Sequence, residues 1–271
     1  MKNPLKTIIC FIIDLFFPLK CIKCHGLILR DIGQTGTPGR VNGEKDPFKD
    51  LFKNYFCPDC IRLKYEPFAP PFCGICGERF EHDSLHSRLC HGCMDASGII
   101  SKVRAGAFYS GIIKESIHAL KYQKKTALAK PLGEILFKGF NRYFDPFDID
   151  VIMPVPLHIS KLKQRGFNQA FLVAKDINRI LKNRGISLEI GFDLYSLKRV
   201  KKTAPQIDFS RDQRKENVKD AFKVMKPERI KNKKILLVDD VYTTGATSRE
   251  AAKELFKAGA LQVDVLVVAR A

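Results

Sequence analysis

Two adjacent carboxylates and a loop rich in hydroxyls lie within one short stretch of the sequence. Asp239 and Asp240 are followed closely by the five small residues Thr243, Thr244, Gly245, Ala246 and Thr247. Threonine hydroxyls donate hydrogen bonds to phosphate oxygens, and glycine lets the backbone come close to a ligand. Two acids would repel an anion unless they face something else, and ribose hydroxyls with a divalent cation nearby are natural partners. The stretch therefore predicts a sugar-phosphate site, with the sugar on the acids and the 5′-phosphate in the loop.

The elements around this stretch are predicted to place it at one edge of a parallel sheet. Residues 235–238 form an apolar, β-branched run typical of a buried strand, and residues 248–258 show a helical pattern closed by Gly259. Open α/β sheets bind ligands at the carboxyl ends of their strands, where a helix N-terminus favours phosphate. An ordinary strand–turn–helix with an acidic turn is the alternative. The agreement of strand, acids, glycine and helix favours the ligand site.

The charge balance is strongly basic. The 271 residues include 47 Lys and Arg against 29 Asp and Glu, a formal net charge of +18, and 45% of the residues are hydrophobic. The chain is long enough for one large domain and a small module. Such an excess attracts polyanions, which include nucleic acid, anionic membranes and phosphorylated metabolites. A lysine-rich solvated surface is the alternative.

Eight of the nine cysteines form four C-x-x-C pairs. The pairs are Cys21/Cys24, Cys57/Cys60, Cys73/Cys76 and Cys90/Cys93. Such regular pairs indicate metal rather than disulfides, and two C-x-x-C knuckles complete one tetrahedral zinc site. Sequential pairing, in which the first pair joins the second and the third joins the fourth, predicts two zinc sites with four cysteine ligands each. Cross-braced pairing is the alternative.

The cysteine pairs define a double zinc-ribbon module over residues 21–98. It either binds nucleic acid or another protein, or it is a fold stapled by metal because so short a segment has little core of its own. Residues 1–20 are predicted to form an amphipathic helix that packs on this module, with a membrane-surface role as the alternative. The apolar run at 8–19 is too short to span a bilayer and is interrupted by Asp14. We therefore expect no transmembrane segment and a reduced, cytoplasmic compartment.

Strands and helices are predicted to alternate over residues 99–271. The predicted strands are 103–109, 150–155, 188–192, 235–238 and 263–268, and the predicted helices are 112–120, 127–143, 169–182 and 248–258. This alternation indicates an α/β domain with a doubly wound, mostly parallel sheet. Residues 196–234 hold 14 Lys and Arg against 5 Asp and Glu, so 198–234 is predicted to be a long basic loop within the domain. A lid over a pyrophosphate, a nucleic-acid contact strip and a merely solvated loop are the three interpretations.

Several blocks together carry a family resemblance. The acidic loop resembles the phosphoribosyl-pyrophosphate (PRPP) signature of type I phosphoribosyltransferases, and the whole chain resembles the ComF family (ComF/GntX-like proteins). The blocks are the four cysteine pairs, His118-x-x-Lys121-Tyr122, Pro154-Val155-Pro156-Leu157 with Arg165-Gly166-Phe167-Asn168-Gln169, a looser set from Arg199 through Thr203 to Phe222, and the loop at Asp239-Asp240. The resemblance implies a zinc-ribbon module followed by a sheet of the type I phosphoribosyltransferase kind.

The resemblance also implies an activity and a context. The superfamily transfers a 5-phosphoribosyl group from PRPP, with Mg²⁺, to a nitrogen acceptor, and here the expected catalytic residues are Asp239, Asp240, Lys121, Arg165 and Arg199. ComF-like proteins are associated with natural competence, so single-stranded DNA and a competence helicase or other DNA-uptake protein are expected partners. The expected location is the cytoplasm, including the inner face of the membrane. A non-catalytic adaptor for single-stranded DNA that keeps the PRPP pocket as a sensor or relic is the alternative.

Overall fold

A computed structural model describes residues 18–28, 47–62, 65–80, 89–94, 98–203 and 211–271. The helix predicted over 1–20 lies outside these residues except for its last three positions. Among the helices of the described ranges, none has both the length and the apolar character needed to cross a bilayer.

The described part of the chain contains seven strands. They are β1 (Val103–Phe108), β2 (Val151–Pro154), β3 (Gly191–Phe192), β4 (Leu197–Arg199), β5 (Phe222–Val224), β6 (Lys234–Tyr242) and β7 (Gln262–Arg270). Five of them form one sheet in the order β1-β7-β6-β2-β3, and every neighbouring pair is parallel. Strands β4 and β5 form a separate antiparallel ribbon.

Ten α-helices accompany these strands within the described residues. They are α1 (Pro47–Phe52), α2 (Pro58–Ile61), α3 (His91–Met94), α4 (Gly111–Tyr122), α5 (Ala129–Tyr143), α6 (Ile159–Arg165), α7 (Gln169–Ala174), α8 (Ile177–Asn183), α9 (Arg211–Val218) and α10 (Ala246–Lys257). Short 3₁₀ turns lie at Thr126–Leu128, Pro146–Asp148 and Pro227–Arg229.

The sheet is buried on both faces, and β6 shows how. Leu236 and Val238 pack in one core with helices α4, α5, α7 and α8, whereas Ile235 and Leu237 pack in the other with α10 and the β4–β5 ribbon. Side chains alternate along a strand, so a continuous apolar run serves two layers at once. The predicted class, a doubly wound and mostly parallel sheet, is confirmed.

Strand β6 is longer than predicted. Residues 235–238 were expected to end the strand before the acids, but β6 continues through Asp239 and Asp240 to Tyr242. The neighbouring strand β7 is the reason, since its parallel register extends to Val241↔Ala269 and Tyr242↔Arg270. The predicted helix 169–182 is divided into two helices, α7 and α8. Helix α6, which precedes them, was not predicted.

The prediction that 198–234 is a long loop is wrong in its secondary structure. The segment contains part of β4, helix α9 and strand β5, while residues 204–210 lie outside the described part. Val218 and Phe222 are almost completely buried and join the core beneath α10, as does Leu197 at the start of β4. These few apolar residues anchor the basic segment to the core. The many lysines around them gave the segment the composition of a loop, so its strands and helix were not predicted.

Candidate functional site

A cavity of about 590 Å³ opens at the carboxyl edge of the sheet. Tyr109 enters it from the end of β1, Val155 from the end of β2 and Asp239 from β6. Helices α4 and α6 and the end of β4 contribute charged side chains to the wall. The cavity lies where a doubly wound sheet offers a ligand site.

The two acids differ in environment. Asp240 is buried and forms an ion pair with Lys121, while its other oxygen accepts a hydrogen bond from Gln169 Nε2 at 3.4 Å. Burial alone would raise the pKa of Asp240, but the charge of Lys121 and the hydrogen bonds from Lys121, Asp239 and Gln169 together outweigh burial, so the pKa is lowered. Burial and then repulsion from Asp240 raise the pKa of Asp239 well above its usual value. The pair therefore offers one carboxylate held ionised and a second that takes up a proton more readily.

Lys121 is fixed to this pair. Burial disfavours its charged form, but the attraction of Asp240, its hydrogen bond and the charge of Asp239 together outweigh burial, so the pKa of Lys121 is raised. Lys121 lies in the last turn of α4, and only about a fifth of its side chain is exposed. The structure thus brings together Lys121, Asp239 and Asp240, although the lysine and the acids are far apart in sequence.

The block from Pro154 to Gln169 acts as one structural unit. Asn168 caps helix α7 by accepting from the backbone N–H of Ala170 at 2.9 Å, and its Nδ2 donates to the carbonyl of Val155 at 3.0 Å. The next residue, Gln169, contacts Asp240 with its amide nitrogen and accepts from Arg165 with its amide oxygen. Through these hydrogen bonds, the block connects the turn after β2 to Asp240 and to Arg165 in the cavity.

The predicted phosphate loop turns sharply at Gly245, which has φ = 77° and immediately precedes helix α10. A Cβ at this position would overlap the hydroxyl of Tyr242, so both conformation and space require glycine. Thr243 and Thr247 line the cavity. The Thr244 hydroxyl is buried without a hydrogen-bond partner among the described residues, and its carbonyl accepts from Arg249. Ala246 is buried at the start of α10.

The eight cysteines form two sets by sequential pairing. One set is Cys21, Cys24, Cys57 and Cys60, and the other is Cys73, Cys76, Cys90 and Cys93. The sulfurs of each set lie within 4.8 Å of one another, with Cys24 and Cys57 at 3.7 Å and Cys76 and Cys90 at 3.5 Å. Tetrahedral zinc with Zn–S bonds of about 2.3 Å needs sulfurs about 3.8 Å apart, so both sets fit zinc.

Comparison with known proteins finds relatives among competence and DNA utilization proteins. No family model matches the chain. Competence protein F of Haemophilus influenzae is 26% identical over 260 residues, which cover 94% of this chain and 99% of the relative. DNA utilization protein YhgH of Escherichia coli is 29% identical over 79% of this chain and 89% of its own length. Competence protein ComFC of Bacillus subtilis is 26% identical over 75% of this chain and 78% of its own length.

These similarities confirm the predicted resemblance to the ComF family. Among solved structures, a glutamine PRPP amidotransferase from Bacillus subtilis superposes with a TM-score of 0.32 at 22% identity, covering 51% of this chain and 25% of that one. That likeness is too weak to carry an argument about function.

The cavity is lined by four cationic side chains. Lys121, Arg165 and Arg199 were predicted, and Lys161 joins them on the same helix as Arg165. Burial and then the neighbouring Arg199, Arg165 and Lys121 lower the pKa of Lys161. Arg199 donates to the Thr203 hydroxyl at 2.6 Å, which holds its guanidinium at the wall. With two acids opposing four cations, the cavity suits a polyanion.

Sequence reasoning missed the roles of two cavity residues. The i, i+4 spacing of Lys161 and Arg165 places both on one face of a short helix, so the spacing was an available signal. Gln169 was recognised as part of a block, but its contact with Asp240 crosses 71 residues and no local pattern indicates it.

The second cysteine set is joined to the sheet domain by its backbone. Three successive carbonyls of the knuckle accept from the domain: Gly74 from Arg104 Nη2 at 3.0 Å, Ile75 from the Val103 N–H at 2.6 Å and Cys76 from Arg270 Nε at 3.1 Å. The module and the domain therefore form a shared core rather than two separate bodies, since Cys73, Cys76 and Cys93 pack in the same cluster as the sheet.

Proposed function

We propose that this chain binds PRPP at the cavity and transfers its 5-phosphoribosyl group to a nitrogen acceptor. One observation carries the proposal: a pair of acids, a helix N-terminus behind a threonine-rich turn, and four cations share one cavity. PRPP is a ribose that carries a phosphate at one end and a pyrophosphate at the other, so it would use all three features.

In the proposed step, the bond between C1 of the ribose and the pyrophosphate oxygen breaks and the electron pair leaves with pyrophosphate. The lone pair of the acceptor nitrogen forms the new bond to C1, and the acceptor gives up a proton to water. Charge develops positively on the ribose and negatively on the leaving oxygen. Cations placed at the leaving group stabilise this transition state more than the bound substrate.

Each residue then has a role in binding or charge stabilisation. Asp239 and Asp240 hold the ribose hydroxyls, and Lys121 keeps Asp240 ionised. The N–H groups at the start of α10, with Thr243 and Thr247, hold the 5′-phosphate. Lys161, Arg165 and Arg199 face the pyrophosphate; all three line the cavity. Among the side chains that line the cavity in the described part of the chain, none stands out as a dedicated general base.

Magnesium remains a prediction that rests on the family resemblance. Apart from the two cysteine sets, no group of three or more His, Cys, Asp or Glu side chains in the described ranges is close enough to hold a metal ion. A magnesium ion would therefore need coordinating oxygens from the bound substrate. PRPP carries such oxygens on its pyrophosphate. Bound there, it would neutralise the leaving group.

The relatives support a setting in DNA uptake, because their names are Competence protein F, Competence protein ComFC and DNA utilization protein YhgH. We place this chain in that setting as well, with single-stranded DNA and a competence helicase or another DNA-uptake protein as proposed partners.

The non-catalytic DNA adaptor is the second candidate, and the β4–β5 ribbon favours it. Lys198 and Lys223 stand directly opposite each other there, and both are exposed. Like charges at paired positions are unfavourable unless a counter-anion lies between them, and a DNA backbone would supply it.

Pyrophosphate release distinguishes the two candidates. Purified protein is incubated with PRPP, Mg²⁺ and a panel of nitrogen acceptors, and single-stranded DNA is titrated in parallel. Acceptor-dependent release that disappears in the double variant Asp239→Asn, Asp240→Asn supports the transferase. Salt-sensitive DNA binding without pyrophosphate release from any acceptor supports the adaptor. DNA binding that survives Lys198→Glu with Lys223→Glu would exclude the ribbon as the contact.

A further inference from the structure

A second cavity, of about 530 Å³, shares helix α6 with the cavity proposed to bind PRPP. The turn after β2, helices α6 and α7, and the segment that leads into β4 form its wall. The wall is mostly apolar and includes Leu157, Ile159, Leu162, Phe171, Leu194 and Leu197. A volume of this size, with an apolar wall and a few polar groups, is typical of small-molecule sites. None of the roles proposed above uses this second cavity.

Helix α6 divides its side chains between the two cavities. Lys161 and Arg165 line the first, whereas Ile159 and Leu162, one turn apart, line the second. None of the seven residues of α6 is buried, and Ile159 is 56% exposed. So short a helix is not stable by itself and depends on packing of its apolar face. In α6 that face lies against a cavity, so a ligand in this cavity would supply the missing packing.

The charge at one end of the second cavity restricts the kind of ligand. Lys198 and Arg199 line it, and none of the Asp and Glu residues that the structure describes does so. Arg199 lines both cavities, and its Nε is buried without a hydrogen-bond partner among the described residues. A buried donor on a charged group is costly when unpaired, and an anion satisfies it. A molecule with an apolar body and one anionic end therefore matches both parts of the wall.

We propose that the second cavity binds a small amphiphilic carboxylate and that this ligand stabilises helix α6. The apolar body packs against Ile159 and Leu162, and the carboxylate pairs with Lys198 and Arg199. Because α6 also carries two of the cations of the first cavity, occupation of the second cavity holds in place a helix that lines the first. The inference goes beyond PRPP binding and does not require it.

Calorimetry with straight-chain carboxylates tests the class of ligand. Hexanoate, octanoate and decanoate are titrated into the full chain below the concentrations at which they form micelles. One ligand is expected per chain, with an affinity that rises about two- to fourfold for each added methylene, as burial of that group predicts. Octanol should bind at least about fivefold more weakly than octanoate, because it lacks the charge. Lys198→Met should reduce that difference.

Two variants locate the site. Leu194→Asp and Ile159→Asp each place a carboxylate in the wall, and both should abolish octanoate binding. Each position is at least partly exposed, at 38% and 56%, so neither change disrupts the core. Leu261→Asp is the matched control, because Leu261 is 62% exposed and lines neither cavity. This variant should bind octanoate as the native chain does.

Hydrogen exchange measures the effect on the helix. Octanoate should slow the exchange of the amides of residues 159–165 in the native chain and in Leu261→Asp, but not in Leu194→Asp. Exchange that is unchanged in the native chain saturated with octanoate would refute the stabilisation of α6.

The proposed ligand class is overturned if octanoate does not bind the native chain, or if octanol binds as tightly as octanoate. The proposed location is overturned if Leu194→Asp binds octanoate as well as Leu261→Asp does. Titration of PRPP into the same preparations separates this inference from the proposed function. A chain that binds octanoate but not PRPP would refute only the proposed function, and a chain that binds PRPP but not octanoate would refute only this inference.

Discussion

The side chain of Arg270 donates from Nε to the backbone carbonyl of Cys76 at 3.1 Å, across 194 residues of sequence. Its guanidinium also lies 5.3 Å from the centroid of the Tyr242 ring, and Tyr242 packs directly behind Gly245. A short chain of buried contacts therefore leads from the second cysteine set to the proposed phosphate loop. The metal module is a structural support for the proposed site as well as a neighbour of it.

We expect about two zinc ions per chain, because both cysteine sets have the sulfur spacing of a tetrahedral site. Elemental analysis of purified protein measures this. A value near one would mean that one of the two sets is not a site. Removing the metal with a chelator should also weaken PRPP binding, since the Cys76 carbonyl and Arg270 would lose their fixed geometry. Unchanged PRPP affinity after complete metal removal would contradict that coupling.

Arg270→Met should destabilise the fold by about 1–3 kcal/mol, the cost of leaving a buried carbonyl unpaired. It should also weaken PRPP binding, because Tyr242 loses the group that packs on it. Urea denaturation and calorimetry measure the two effects. Arg62→Met is the control: Arg62 is exposed in the first cysteine region and should change stability by less than about 0.5 kcal/mol. An Arg270 variant that behaves like this control would refute the role of Arg270.

Gly245→Ala should abolish PRPP binding, and Gly185→Ala should not. Both glycines have left-handed backbone conformations, with φ of 77° and 80°. A Cβ at Gly185 meets nothing within 4 Å, so this variant reports only backbone strain, about 1–2 kcal/mol. At Gly245 the Cβ would displace Tyr242 from behind the loop. Denaturation measures stability and calorimetry measures affinity. Equal PRPP affinities in the two variants would contradict the loop assignment.

PRPP affinity should fall as the pH rises through the pKa of Lys161. Burial and then Arg199, Arg165 and Lys121 hold that pKa below the usual lysine value, so the ammonium loses its proton earlier than an ordinary lysine. The charged form, present below the pKa, is the one that binds an anion. Calorimetry between about pH 7.5 and 10 avoids titration of the phosphates, whose second pKa is near 6.

Lys161→Arg supplies the comparison for this pH dependence. Arginine stays charged over the whole range, so the decline attributed to Lys161 should disappear in the variant. Lys161→Met should bind more weakly at the lower pH values and show a flatter profile. The account of Lys161 would be wrong if the arginine variant kept the full decline of the native protein.

The parts of the site that sequence could predict are those with local signals. The acids, the glycine turn and the helix that follows are contiguous, and each residue type matches its role. The cysteine pairs are equally local, and sequential grouping is what the structure shows. The sheet class followed from strands that alternate with helices.

The parts that sequence could not predict depend on distant partners. Strand β6 passes through Asp239 and Asp240 because β7 pairs with it to its end, and a short apolar run gives no sign of that. The ribbon of β4 and β5 was hidden because its buried positions, such as Leu197 and Phe222, are isolated among lysines. The link from Cys76 to Tyr242 depends on an arginine at position 270, next to the C-terminal end of the sequence.

Calorimetric titration with PRPP and Mg²⁺ tests the central claim most directly. The native chain is compared with the double variant Asp239→Asn, Asp240→Asn, and circular dichroism checks that the variant is folded. We predict saturable PRPP binding to the native chain and its loss in the folded variant, because amides cannot supply the charge that pairs with Lys121 or accept as strongly from the ribose hydroxyls. Equal PRPP affinity in the two proteins, or no binding to the native chain, would contradict the assignment of this cavity.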